Sequence, residues 1–160
     1  MSEVAKLVEQ LEAGYSGSAW HGPSLKDNLQ GVTAAQASRR IGSGHTIWEL
    51  VLHLAAWRGE IAKRLQGHEA GAPPEGDFPS APQGAAATEP EWRKALAWLD
   101  DAQRTLLAAA RAVPEDDLQK PILDYRENSS GQGAPRYVTL LGVTQHDAYH
   151  SGQIALLRRS

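Results

Sequence analysis

Gln145-His146-Asp147-Ala148-Tyr149-His150, inside the run from Thr139 to Arg159, decides how this chain folds. Thr139, Val143, His146, His150, Gln153 and Leu157 recur at alternating spacings of four and three. That is the inward seam of a bundle helix. The two histidines therefore hold seam positions that a core normally gives to Leu or Val. A spacing of four puts both imidazoles on one face, one above the other. Burying unpaired polar groups costs roughly a few kcal/mol each, so both rings need partners. Hydrogen bonds within the core would serve, and so would one divalent metal. Two histidines at consecutive seam positions favour the metal.

A third ligand is legible upstream. Thr46-Ile47-Trp48-Glu49 fits a capping box, in which the Thr hydroxyl caps the helix and the Glu carboxylate reaches back. Ile47, Leu50, Val51, Leu54, Arg58, Ile61 and Leu65 form the stripe that follows, and Gly67 ends it. His53 lies at one edge of that stripe, beside Trp57, and can look along an interhelical groove. His53, His146 and His150 are the candidate metal ligands. Three imidazoles leave a fourth position for water or substrate, a catalytic rather than a closed structural pattern. Glu49 lies one turn before His53 and could support it, but its capping role already explains it. Asp147 points about a hundred degrees away from His146 and is expected to be a surface or interhelical charge. Tyr149 and Gln153 flank the histidine face, and Gln153 is expected to hydrogen-bond inside it. In Trp20-His21-Gly22-Pro23, Trp20 is expected to pack on the bundle and His21 to sit at the surface or pocket wall. His45, before the cap, and His68, past the helix end, are expected to be solvated.

The remaining segments supply the scaffold. Val4, Leu7, Val8, Leu11 and Tyr15 predict a first helix from about Ser2 to Tyr15. Ser24 and Thr33 start short capped turns. The stretch from Gly71 to Thr88 is rich in Pro, Gly and Ala and reads as an irregular crossover. Antiparallel neighbours need no connection that long, so the second and third long helices are expected to run parallel. Thr88-Glu89-Pro90-Glu91 reads as another capping box, followed by Trp92, Leu96, Leu99, Gln103, Leu106, Ala110 and Val113. Pro114 ends that helix, and Glu115 to Leu118 is a turn. Any strand is expected to fall between Asp124 and Tyr137. The last helix should start near Val138 or Thr139 and end near Arg158. The expectation is one all-α domain over residues 1–160. Trp48 lies on the flank of its helix, away from His53, where it could meet another subunit. A symmetric homodimer is therefore expected.

Composition excludes several functions. The net charge of −3 gives no basic footprint for nucleic acid. Arg158 and Arg159 suit the negative end of the last helix. The chain has no cysteine, so disulfides, thiolate ligands and a cysteine nucleophile are out. Any thiol must arrive with a substrate or cofactor. Met1 to Lys6 lacks a signal-peptide pattern, and no apolar run is long enough to span a membrane. A cytoplasmic protein acting on a small molecule is expected, with neither nucleic acid nor membrane as partner.

Three segments also carry a family resemblance. They are Ala19-Trp20-His21-Gly22-Pro23-Ser24-Leu25, the run from His45 through His53 to Arg58, and Gln145-His146-Asp147-Ala148-Tyr149-His150-Ser151-Gly152-Gln153-Ile154. The chain resembles the DinB-like (DinB/YfiT) superfamily over most of its length. The resemblance implies a four-helix bundle in up-down-down-up order. The family's pattern of one His on the second long helix and His-x-x-x-His on the fourth falls on His53, His146 and His150. It further implies zinc or nickel at one end of the bundle, and often a homodimer. Characterised members include transferases and isomerases that use a low-molecular-weight thiol such as bacillithiol or mycothiol. Others are described as metal-dependent hydrolases.

The leading expectation is accordingly a thiol-dependent transferase, whose metal lowers the pKa of a bound thiol. A hydrolase using metal-bound water is the alternative, and it wants a general base that the sequence does not place. A non-catalytic metal-binding or small-molecule-binding stress protein is the other.

Overall fold

Hydroxyl side chains set five of the helix starts. Ser2 caps α1 (Glu3–Ser16) and accepts from the Ala5 N–H. Ser24 and Thr33 cap two short helices, α2 (Leu25–Leu29) and α3 (Ala34–Ser38), each through a reciprocal capping box. Thr46 and Glu49 form the expected box at α4 (Ile47–Leu65). Thr88 caps α5 (Glu89–Arg111). Each cap satisfies a backbone N–H that the helix leaves orphaned, worth about 1 kcal/mol. The α5 box is only half formed. Thr88 accepts from the Glu91 N–H, but Lys94, one turn on, holds the Glu91 carboxylate. Glu89 instead accepts from the Ala34 N–H at 2.7 Å and ties α5 to α3. Gly67, at φ 91°, follows the end of α4 in the left-handed conformation that glycine tolerates.

The computed structural model describes residues 1–126 and 128–159. It is mostly helical, with one antiparallel hairpin of β1 (Pro121–Leu123) and β2 (Gln132–Pro135). The second strand falls in the expected window and the first precedes it. The last helix, α6 (Arg136–Leu157), starts about two residues earlier than its sequence suggests. Pro135 gives it no side-chain cap. The Arg136 and Tyr137 N–H groups go to the Lys120 and Leu118 carbonyls, so the segment beside β1 takes over the cap's work.

α1 packs on α5 and α6, and α4 packs on the same two. Two apolar clusters fill the interior. One gathers Leu50, Leu54, Trp92 and Leu99 from the first halves of α4 and α5, with Tyr15 and Ile154 from the ends of α1 and α6. The other gathers Leu65, Leu106 and Ala110 from the second halves, with Val4, Leu7, Leu140 and Val143 from the beginnings of α1 and α6. Arg58, Gln103 and Asp147 lie between the two clusters in sequence on their helices, and all three are buried.

Three expectations about faces need correction. The buried ridge of α6 is Leu140, Val143, Asp147, His150, Ser151 and Ile154. It is turned from the expected seam, so His146, Gln153 and Leu157 are only partly buried. That rotation puts the apolar Leu140 and Ile154 in the core instead of Thr139 and Gln153, which burial of apolar area favours. Trp48 does not face outward. It is buried within the chain, its ring 5.2 Å from that of Trp92, so it offers nothing to another subunit. Trp20 does the reverse and stands fully exposed on its turn rather than packing on the helices. Among the described residues, no helix is long and apolar enough to cross a membrane.

Candidate metal centre

α4 and α6 pack together and bring His53 against His146 and His150. One ligating atom from each lies within 4.8 Å of the others. The Nε2 atoms converge: His53 to His146 is 2.9 Å, and His150 to His146 is 3.0 Å. His146 and His150, one helical turn apart, meet edge to face with ring centroids 4.5 Å apart.

The far sides of two rings fix their tautomers. His53 Nδ1 donates to the Asp77 backbone carbonyl at 2.5 Å. His150 Nδ1 donates to Gln153 Oε1 at 2.6 Å, the inward bond expected of Gln153. A carbonyl oxygen only accepts, so each Nδ1 carries the proton. In a neutral imidazole, each Nε2 is then a bare lone pair. Both lone pairs face His146 Nε2, which has at most one proton to share. One contact in the cluster must set lone pair against lone pair. A cation at the point of convergence removes that conflict. Neutral imidazoles whose outer N–H groups are held by carbonyls are also the donor set a divalent metal takes. The residues therefore fit a metal.

Electrostatics favour the same state. Burial pushes all three histidines below their ordinary value, and His146 falls to about 3, with His150 and His53 adding to the effect. The rings stay neutral near pH 7, so protons compete weakly for the lone pairs.

The crossover between α4 and α5 supports His53 from outside. Asp77 Oδ1 lies 3.3 Å from His53 Nδ1 and accepts from Trp57 Nε1 at 2.7 Å. Phe78 stacks on the His53 ring at 4.0 Å with planes 9° apart. His45 stacks on Phe78 at 3.7 Å. Sequence reading missed both loop residues. The available signal was an Asp-Phe pair, with the chain's one phenylalanine, inside a Pro/Gly/Ala stretch. Phe78→Ala should weaken zinc affinity about ten-fold or more, the usual penalty for losing a group that orients a ligand. His68→Ala should change nothing. Competition with a chromophoric chelator measures both, and an unchanged Phe78→Ala would show that the loop merely covers the site.

The other candidates are placed elsewhere. His21, His45 and His68 are exposed. Glu49 serves the cap, accepting from the Thr46 N–H, and also accepts from Arg40. Tyr149 is mostly exposed beside the His150 ring. Asp147 proves interhelical and fully buried. Arg58 Nη2 donates to both its oxygens at 2.7 Å, while Arg58 Nε donates to Gln103 Oε1 at 2.8 Å and Nη1 to the Leu54 carbonyl. Burial pushes the Asp147 carboxyl up, and the guanidinium pulls it back. Arg58 and Gln103 were visible as polar intruders in apolar stripes, but their partner was not.

The family model of the DinB superfamily matches residues 24–154, a span that contains all three histidines. No curated protein and no solved structure gives a significant match.

Proposed function

Since the chain belongs to the DinB superfamily, we propose that it is a metal-dependent enzyme using a low-molecular-weight thiol in group transfer. His53, His146 and His150 would hold one divalent metal, zinc or nickel. The metal would bind a thiol such as bacillithiol or mycothiol and hold it as thiolate near neutral pH. The observation that carries the reading is the pair of bare Nε2 atoms directed at a third, with the Nδ1 sides held by Asp77 and Gln153. The chain itself has no cysteine, so an imported thiol supplies the nucleophile.

Hydrolysis ranks second because, among the described residues, no carboxylate beside the three histidines is free to act as base. Asp147 is locked by Arg58, Glu49 by Thr46 and Arg40, and Asp77 lies on the Nδ1 side of His53. A non-catalytic metal binder of the stress-protein kind ranks after that.

The rest of the reading goes with the family. α1, α4, α5 and α6 form an up-down-down-up four-helix bundle in a single domain over 1–160. Its support is that the first halves of α4 and α5 share one cluster with the ends of α1 and α6. The protein works in the cytoplasm on a small molecule, without nucleic acid or membrane. It assembles as a homodimer through a face other than that of Trp48.

Thiol titration of cobalt-substituted protein tests the proposal. A sulfur-to-cobalt charge-transfer band should grow in with bacillithiol, mycothiol or a simple thiol. A spectrum that no thiol alters would turn the reading toward hydrolysis or passive binding.

A further inference from the structure

A cleft of about 430 Å³ opens at His146 and runs between α4, α6 and the hairpin. Leu54, Trp57, Ile61, Ile122, Val138 and Val143 wall it. The polar side chains around it already have partners. Arg58 is bonded to Asp147 and Gln103, and Arg64 to Glu60 and the Gly71 carbonyl. Asp124 pairs with Arg126, the Thr139 hydroxyl donates to the Pro135 carbonyl, and the Trp57 indole donates to Asp77. An apolar molecule entering this cleft gains burial. A polyhydroxylated or multiply charged one gives up water for walls whose polar groups are occupied.

Gly142 completes the shape. It lines the cleft from α6, four residues before His146 and so on the same face. A Cβ added there meets nothing within 4 Å. Glycine inside a helix is less favourable than alanine. Here its missing side chain keeps the cleft open beside the histidine cluster.

We propose that this cleft binds the second substrate, a compact organic molecule with an apolar, ring-sized body and a single polar or electrophilic head. The body lies along Trp57, Ile61 and Val143, and the head reaches the histidine cluster at His146. The placement of the head rests on the metal-centre reading. Recognition of the body rests on the apolar walls alone.

Two measurements separate those parts. The first uses the neutral fluorophore N-phenyl-1-naphthylamine on metal-free and zinc-loaded protein. Saturable binding is expected in both forms. Gly142→Leu should weaken it about ten-fold or more, by filling space an apolar body would bury. Val138→Trp, at the half-exposed start of α6, narrows the cleft independently should the first variant misfold. The second compares benzyl mercaptan with 2-mercaptoethanol on the cobalt-loaded protein. Benzyl mercaptan should bind about ten-fold tighter to the natural chain, and Gly142→Leu should erase that preference while keeping the cobalt spectrum. Equal fluorophore binding by the natural chain and both variants would overturn the proposal. So would cobalt loading with no preference for the apolar thiol. If cobalt fails to bind, the metal-centre reading falls, and the fluorophore still decides whether the cleft takes apolar bodies.

Discussion

Replacing His53 by alanine should lower zinc or nickel affinity by more than about 100-fold, beyond the range seen when only a supporting group is lost. Two histidines on one helix would remain. Phe78 and Trp57, which pack against the His53 ring, carry no replacement donor, and the nearby Asp77 carboxylate lies on the Nδ1 side and accepts from the Trp57 indole. Affinity confined to the folded state appears as stability. At free metal 100-fold above its dissociation constant, the natural chain should gain about 2.7 kcal/mol. At the same metal concentration, a site 100-fold weaker gains only about 0.4 kcal/mol. For a domain of this size, the melting-temperature increment should shrink from roughly 5–10 °C to roughly 1–2 °C. The metal-free variant should itself be less stable than the metal-free natural chain, because the substitution removes the buried ring, its stack on Phe78 and its bond to the Asp77 carbonyl, so the zinc increment is compared within each protein. Differential scanning fluorimetry with and without zinc reads both quantities. An undiminished zinc increment in His53→Ala would mean that the ligands lie elsewhere.

Asp147→Asn should destabilise the fold by about 3–5 kcal/mol, because it strands the Arg58 guanidinium in the interior. That is a large share of the roughly 5–15 kcal/mol that holds an ordinary domain together. Arg58 and Asp147 are 2 % and 1 % exposed at the side chain, so water cannot replace the lost partner. Gln103 and the Leu54 carbonyl satisfy the other nitrogens but carry no charge. The double variant Arg58→Met, Asp147→Leu should be less destabilised than either single one, since it leaves no charge unpaired. Urea unfolding measures the cycle. Single-variant losses within about 0.5 kcal/mol would place the pair with exposed salt bridges and contradict its role between the two clusters.

The parts that sequence revealed are those governed by local chemistry. Thr46 and Glu49 announce the start of α4 because a capping box needs only residues three apart. His146 and His150 announce a shared face because helical period fixes it. Period alone picked the inward faces of α1, α4 and α5, but on α6 it erred. Taking His146 as a seam residue rotated α6 and hid Asp147, whose burial depends on Arg58, 89 residues away. Trp48 looked like a flank residue because the wheel of α4 carries no information about Trp92. Asp77 and Phe78 escaped because an irregular loop has no period. Their position against His53 is set by backbone geometry and stacking.

Long-range proton–nitrogen correlation spectra of the histidine rings, before and after one equivalent of zinc, test the three-histidine centre most directly. Metal-free protein should show His53 and His150 protonated at Nδ1. One equivalent of zinc should shift the Nε2 resonances of His53, His146 and His150 together, leaving the His21 and His68 ring nitrogens unchanged. A zinc-induced shift at fewer than three of these Nε2 atoms, or a shift at His21 or His68 in their place, would contradict it.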